Sequence, residues 1–412
     1  MPVTYGSDYG SPTLDLNFAR NKSLNDTMTG RNLITFTRSS TGTYVGSDGL
    51  IKTAAVDTPR FDHNPITGVC NGLLIEESRG NNFLYSSNVG NVSYWTTSNA
   101  TVSLNSTTAP DNTLTATKLI SGTSPSTESY VYSGTVTRVP EGTHLVSIFA
   151  KAAEYRYLSI SGGEFGRYAI YDLNTGTVTA TGGGITGTIT AFPNGWYRCS
   201  IPVYGYSAGY NYRFKVTNSP SSTTFTGDGV SGIYVWGAQF EAYSVFPTSY
   251  IPTTTSTVTR SADAASITGT NFSSWYNQSE GTFSSKYTTP ISGTRTIIGL
   301  DDGTANEQIN LYTDTSNTIL TVVDNGSTQA NMTFGTAVSG PINSSSFSYQ
   351  LNNFNATLGG STVSSDSSGT IPTVNLMRIG NSFGGSVHSG YISRLTYYPK
   401  RLPNYQLQAL TR

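Results

Sequence analysis

The chain has 412 residues, a length that accommodates two to three domains, each large enough to bury a core. Only 11% of them are charged and the formal net charge is −1, so no general electrostatic attraction draws the protein to nucleic acid or to an anionic membrane. Plentiful Thr, Ser, Gly and Asn with 12% aromatic residues predict instead an all-β protein of short antiparallel strands and tight turns. No apolar run approaches the 18 or so residues of a membrane-spanning helix. The N-terminus MPVTYGSDYGSP lacks the basic region and apolar core of a secretory signal. Cys70 and Cys199 have no metal-ligand spacing, fall in different expected domains and are expected to be free, buried thiols, in keeping with folding in a reducing cytoplasm.

The leading segment is expected to span residues 1–85. Its first part, to Arg31, is turn-rich with LDLNFAR as its one compact apolar patch, so a partner surface is expected to hold it in place. From Leu33 onward, Thr35, Thr37, Thr43, Tyr44 and Val45 favour pleated backbone, and the stretches 46–49 and 64–68 carry the Asp-Gly and Asn-Pro signals of chain reversal. Residues 86–250 read as a second domain, with alternation in ESYVYSGTVTRV, HLVSIFAKAA, RYLSISGG, NGWYRCSIPVYGY, YNYRFKVTN and SGIYVWGAQFE that predicts a β-sandwich. Residues 251–265 hold a proline in a Thr-rich run and are expected to be an extended linker or edge segment. Residues 266–412 read as a third, all-β domain ending in GYISRLTYYPKRLP and a short helical turn.

Three resemblances arise from these residues. The ITFTR-S-STGTYV, S-DG-LIKTA, PRFDH-NP-TG and GLLIEE-R-N segments resemble a module of tailed-bacteriophage virion proteins. The order SIFAKA, YDLNTGTV, NGWYRCS, GIYVWGAQFE and FPTSYIPT resembles a carbohydrate-binding-module-like jelly roll of phage fibre proteins. The third domain resembles a concanavalin-A-like or laminin-G-like jelly roll, whose closing strand and helix its C-terminus matches. Together they imply an N-terminal attachment or oligomerisation module followed by two jelly-roll sandwiches, displayed on a particle surface as a head or tail fibre or spike. The implied partners are other virion proteins of the capsid or tail, sister copies in a homotrimer, and host-surface polysaccharide, with synthesis in the host cytoplasm and release by lysis. The alternative is a decoration protein that only stabilises the particle.

Catalysis finds little support in the sequence. His63, His144 and His388 are far apart and sit in no nucleophile or zinc motif. The third domain has only Glu280 and Glu307 as glutamates, without the paired carboxylates on one strand that glucanases of its fold class use. Asp301, Asp302 and Asn306 cluster in a turn, but two carboxylates fall short of a calcium site, so neither metal nor cofactor is expected. Sugar rings stack on flat aromatics and their hydroxyls need planar polar partners. The candidates for that chemistry are Trp95, Tyr130, Tyr132, Tyr155, Arg156, Tyr157, Arg167 and Tyr168 in the second domain, and Asp301, Asp302, Asn306, Asn310, Tyr312, Asn381 and His388 in the third. Trp196 and Trp236 lie inside strong strand patterns and are expected in a core.

Overall fold

The computed structural model describes residues 10–136, 142–162, 166–204, 210–290, 292–315 and 317–412. Nearly all regular structure is antiparallel strand, arranged as two β-sandwiches with separate cores. In the middle sandwich one sheet runs Thr188–Ala191, Trp196–Tyr204, Thr143–Ala152, Gly232–Ala242, Ala116–Ser121, Ala100–Thr107. The facing sheet runs Thr177–Gly182, Arg167–Asp172, Tyr157–Gly162, Tyr212–Thr217, Thr127–Tyr132, with two short strands, Thr96–Ser98 and Thr224–Phe225, on the last. Alternation places Val131, Leu158, Ile160, Phe214 and Val216 inward against Val146, Ile148, Ile201 and Val235.

The strand Thr143–Ala152 reads HLVSIFAKA without clean alternation because both its faces are covered. Val146, Ile148 and Ala150 enter the sandwich core, while Phe149 turns outward into a second, smaller core with Trp196, Trp236, Phe192, Tyr250 and Ile51. Rings pack closely there, with Trp236 and Tyr250 centroids 4.7 Å apart. Trp196 and Trp236 are thus buried, as their strand patterns require.

The leading segment departs from the expectation of a separate module. Leu14–Leu16 pairs with Gly390–Tyr398, Cys70–Ile75 pairs with the start of that same strand, and Phe61–His63 extends the sheet. Thr35–Thr37 pairs with Ala264–Thr268 in the opposite sheet. Leu14, Leu16, Phe18, Leu73 and Ile75 are fully buried in the C-terminal core with Phe283, Phe347 and Leu395. The LDLNFAR patch therefore needs no partner molecule to bury it, since the chain's own last strand does so. Each such buried side chain is worth roughly 1.5–3 kcal/mol. Residues 1–9 lie outside the described residues.

The linker is likewise fixed. Val258–Arg260 pairs with Arg79–Asn81, and Ile251, Thr253, Arg260 and Asp263 are buried. Beneath it lies a cluster of charge closed off from water. Arg60 reaches Asp263 at 2.5 Å and Glu76 at 2.8 Å, Arg38 reaches Asp263 at 3.1 Å, and Arg260 reaches Glu76 at 2.9 Å. Ser249 donates to both oxygens of Glu76 through its amide and hydroxyl, and Arg38 also donates to the carbonyls of Ser40, Ala55 and Thr58. Burial alone would raise the Glu76 carboxyl, yet Arg260 and Arg60 hold it at about 2. The charged residues come from the leading segment and the linker and Ser249 from the end of the second domain, so the cluster ties those parts together. Both cysteines are free, Cys199 inside the middle core and Cys70 on a strand of the C-terminal sheet.

Candidate functional site

Period-2 alternation turns one set of polar and aromatic side chains outward on the middle sandwich. Where Val131, Phe214 and Ile160 point into the core, their neighbours Tyr130, Tyr132, Arg213, Lys215, Ser159 and Ser161 point away from it. Cross-strand register lines up Tyr132, Arg213, Ser161 and Tyr168 on four adjacent strands. At about 4.8 Å between strands that row is about 14 Å long, longer than a single sugar ring. Tyr130, Lys215, Ser159 and Ile170 form the row beside it.

The Tyr130 and Tyr132 rings lie 5.9 Å apart, and the Arg213 guanidinium sits 5.0 Å above the Tyr130 ring. Arg213 has a side chain 41% exposed and its ion pair with Glu128 is long, at 3.9 Å, so its planar donors remain open to a ligand. Lys215 is differently placed: it meets Glu128 at 2.6 Å, and Thr223 donates to the same oxygen. Burial would raise the Glu128 carboxyl, but those bonds together with Arg213 hold it below its ordinary range. The buried Ser159 hydroxyl has no hydrogen-bond partner among the described residues. Two half-buried tyrosines, a partly exposed guanidinium held only by a long ion pair, and serines beneath them form a flat polar-aromatic platform.

The other second-domain candidates separate from this platform. Trp95 is buried, edge-on to Tyr94 with its indole nitrogen donating to the Leu84 carbonyl, so it is a core residue and not a contact. Tyr155 packs edge-on against Phe225. Tyr157 is nearly buried at the platform's far end, where Arg156 donates to its hydroxyl at 2.6 Å and pairs with Asp172 at 3.1 Å. Arg167 alternates to the opposite side of its strand from Tyr168 and lies over the Tyr204 ring.

In the C-terminal sandwich the sheet containing Thr294–Asp301 brings Asn310 and Asn381 around Gly299, whose absent Cβ would meet the Asn381 carbonyl at 2.6 Å, and places Tyr312 opposite Thr296. The polar groups there are already paired. Asp301 is buried in a two-pronged ion pair with Arg378, at 2.7 and 3.1 Å. Asn310 donates to Gln308, Tyr312 accepts from Thr321, and Asp302 and Asn306 fold the turn through Thr304. His388 is fully buried against Tyr287, and burial pushes its imidazole down to about 4, so it is an interior group and not part of a sugar-binding edge. Among the described residues no group of three or more His, Cys, Asp or Glu could hold a metal ion.

Sequence reading passed over Arg213. Its signal was present in YNYRFKVTN, where Arg213 and Lys215 alternate with Phe214 and Val216 and must therefore face outward.

No family model and no curated protein matches the chain. Among solved structures it is similar to the CBM40 of the Ruminococcus gnavus IT-sialidase bound to alpha2,6 sialyllactose, at 16% identity over 34% of this chain and 88% of that one, with a TM-score of 0.31. It is similar to the NanB sialidase of Streptococcus pneumoniae at 14% identity, over 36% of this chain and 26% of that one, with a TM-score of 0.32. The Trypanosoma rangeli sialidase in complex with DANA is 9% identical over 72% of this chain and 60% of that one, with a TM-score of 0.29. The fold of this chain rests on its own strand pairing, and these likenesses assign it no activity.

Proposed function

We propose that this protein is a glycan-binding adhesin that works through the outer face of its middle sandwich. The observation that carries this reading is the in-register row Tyr132, Arg213, Ser161 and Tyr168, with Tyr130 under the guanidinium. Tyrosine rings offer flat apolar faces to sugar C–H groups, and a guanidinium offers paired N–H donors to vicinal hydroxyls or a carboxylate. A shallow open platform of this kind binds weakly per site and gains strength from many copies. Display at the surface of a tailed-phage particle, as a head or tail fibre or spike and in a trimer, follows from the sequence resemblance and forms the second part of the proposal.

A glycan array probed with the whole protein tests the first part. Saturable binding to at least one surface glycan is expected, and its loss in the Tyr132→Ala, Arg213→Ala, Tyr168→Ala triple variant with an unchanged melting curve supports the platform. No binding across a broad array of bacterial surface glycans sinks the reading. Gold-labelled antibody against the protein on purified particles tests the second part, with label on projecting appendages as the expected result and its absence from particles as the contrary one.

A further inference from the structure

A cleft of about 360 Å³ opens where the leading segment, the middle sandwich and the C-terminal sandwich meet, within the range of small-molecule sites. It lies away from the tyrosine platform and shares no residue with it. A β-bulge shapes one wall. Asp62 pairs with Gly72 and His63 with Cys70, so Asn71 is the inserted residue, and it lines the cleft. The bulge depends on Gly72, whose φ is 124° and where a Cβ would lie 2.3 Å from the Ile392 carbonyl oxygen.

The chemistry of the lining is specific. Ile51, Leu74, Phe192, Phe246 and Pro290 supply apolar wall. Of the charged groups at its edge, Glu76 is held by Arg60, Arg260 and Ser249, while Arg198 donates to the Thr248 carbonyl at 2.6 Å and to the Ser147 hydroxyl and keeps its Nε without a partner among the described residues. Asp62 accepts from the Tyr391 hydroxyl at 2.6 Å and from the Val45 amide. Tyr44, Asn71 and Thr190 are different: Tyr44 and Asn71 are half-buried, Thr190 is exposed, and none has a side-chain hydrogen bond to the described residues. The cleft thus offers a phenol, a carboxamide and a hydroxyl to a ligand beside apolar wall.

From this geometry we infer that the junction cleft is a second binding site, one that takes a single neutral, hydroxyl-rich ring of monosaccharide size, with Asn71 bridging two ring hydroxyls. An amide presents a donor and an acceptor side by side, which matches adjacent hydroxyls, while the one guanidinium on the wall, that of Arg198, already donates to Thr248 and Ser147, and the Asp62 and Glu76 carboxyls beside it disfavour an anionic ligand. The inference stands independently of the platform.

Protein-observed NMR of the whole chain, titrated separately with methyl glucoside, methyl galactoside, N-acetylglucosamine and glucuronic acid, tests it. Saturable shifts confined to residues around the cleft are expected for at least one neutral sugar, with glucuronic acid at least tenfold weaker. Asn71→Ala and Thr190→Val are each expected to weaken that binding at least fivefold, while the Tyr132, Arg213, Tyr168 triple variant leaves it unchanged. Thr190 sits on an edge strand at the sheet's margin, so its variant keeps the test open should Asn71→Ala fail to fold. Shifts that do not saturate, shifts centred on the platform, or binding that survives Thr190→Val would each overturn the inference.

Discussion

Asp62 is held in an environment that opposes its charge. Burial pushes its carboxyl up to about 6, with the Tyr391 hydroxyl and Val45 amide working in the other direction. A folded-state value above the unfolded one means that the native protein binds this proton more tightly. Its contribution is most favourable below about pH 4 and is lost as pH rises toward 6, amounting to roughly 3 kcal/mol. Asp62→Asn keeps an acceptor for the Val45 amide, so the variant is expected to match the wild type at pH 4 and exceed it in urea stability at pH 8. Glu76 has the opposite sign: its depressed carboxyl stabilises the fold above about pH 4.5 and stops doing so as pH falls toward 2. Removing it by Glu76→Ala leaves Arg60 and Arg260 buried without their shared partner, and a loss of about 3–5 kcal/mol is expected in urea unfolding at neutral pH. None of this was legible in the sequence. Arg38, Arg60, Glu76, Arg260 and Asp263 are scattered over more than half the chain, and only tertiary pairing brings them together.

At the level of elements, the informative case is Leu14–Leu16. Three residues of alternating character carry almost no periodic signal, and the polar surroundings pointed to an external partner. The partner is Gly390–Tyr398, about 380 positions away, and no local pattern encodes a pairing that distant. Longer elements were easier to read: Thr127–Tyr132, Tyr157–Gly162 and Tyr212–Thr217 alternate cleanly, and the outward residues of the platform follow from that alternation. Because the leading strands complete both C-terminal sheets, the fragment 266–412 is expected to lack a cooperative thermal transition that the whole chain shows. Leu16→Ala in the whole chain is expected to cost about 2–5 kcal/mol through the cavity it leaves. Independent folding of the fragment with a sharp melt would contradict the shared-sheet account.

Over the whole molecule, three devices hold the leading segment in place: its strand Arg79–Asn81 pairs with Val258–Arg260, its Arg38, Arg60 and Glu76 join the buried charge cluster with the linker, and its Ile51 joins the aromatic core of Phe149, Trp236 and Tyr250 in the middle sandwich. These contacts fix the direction in which the tyrosine platform faces, as the proposed adhesin role would require. The all-β class and the two sandwiches were readable from composition and alternation. The role of the leading segment was not, since burial of its apolar residues depends on strands from the far end of the chain. The most direct test of the glycan-binding account is a structure of the protein with its best array ligand bound. The account predicts sugar rings stacked on Tyr132 and Tyr168 with a hydroxyl or carboxylate within about 3 Å of the Arg213 guanidinium. Density found only on the C-terminal sandwich, with the platform bare, would contradict it.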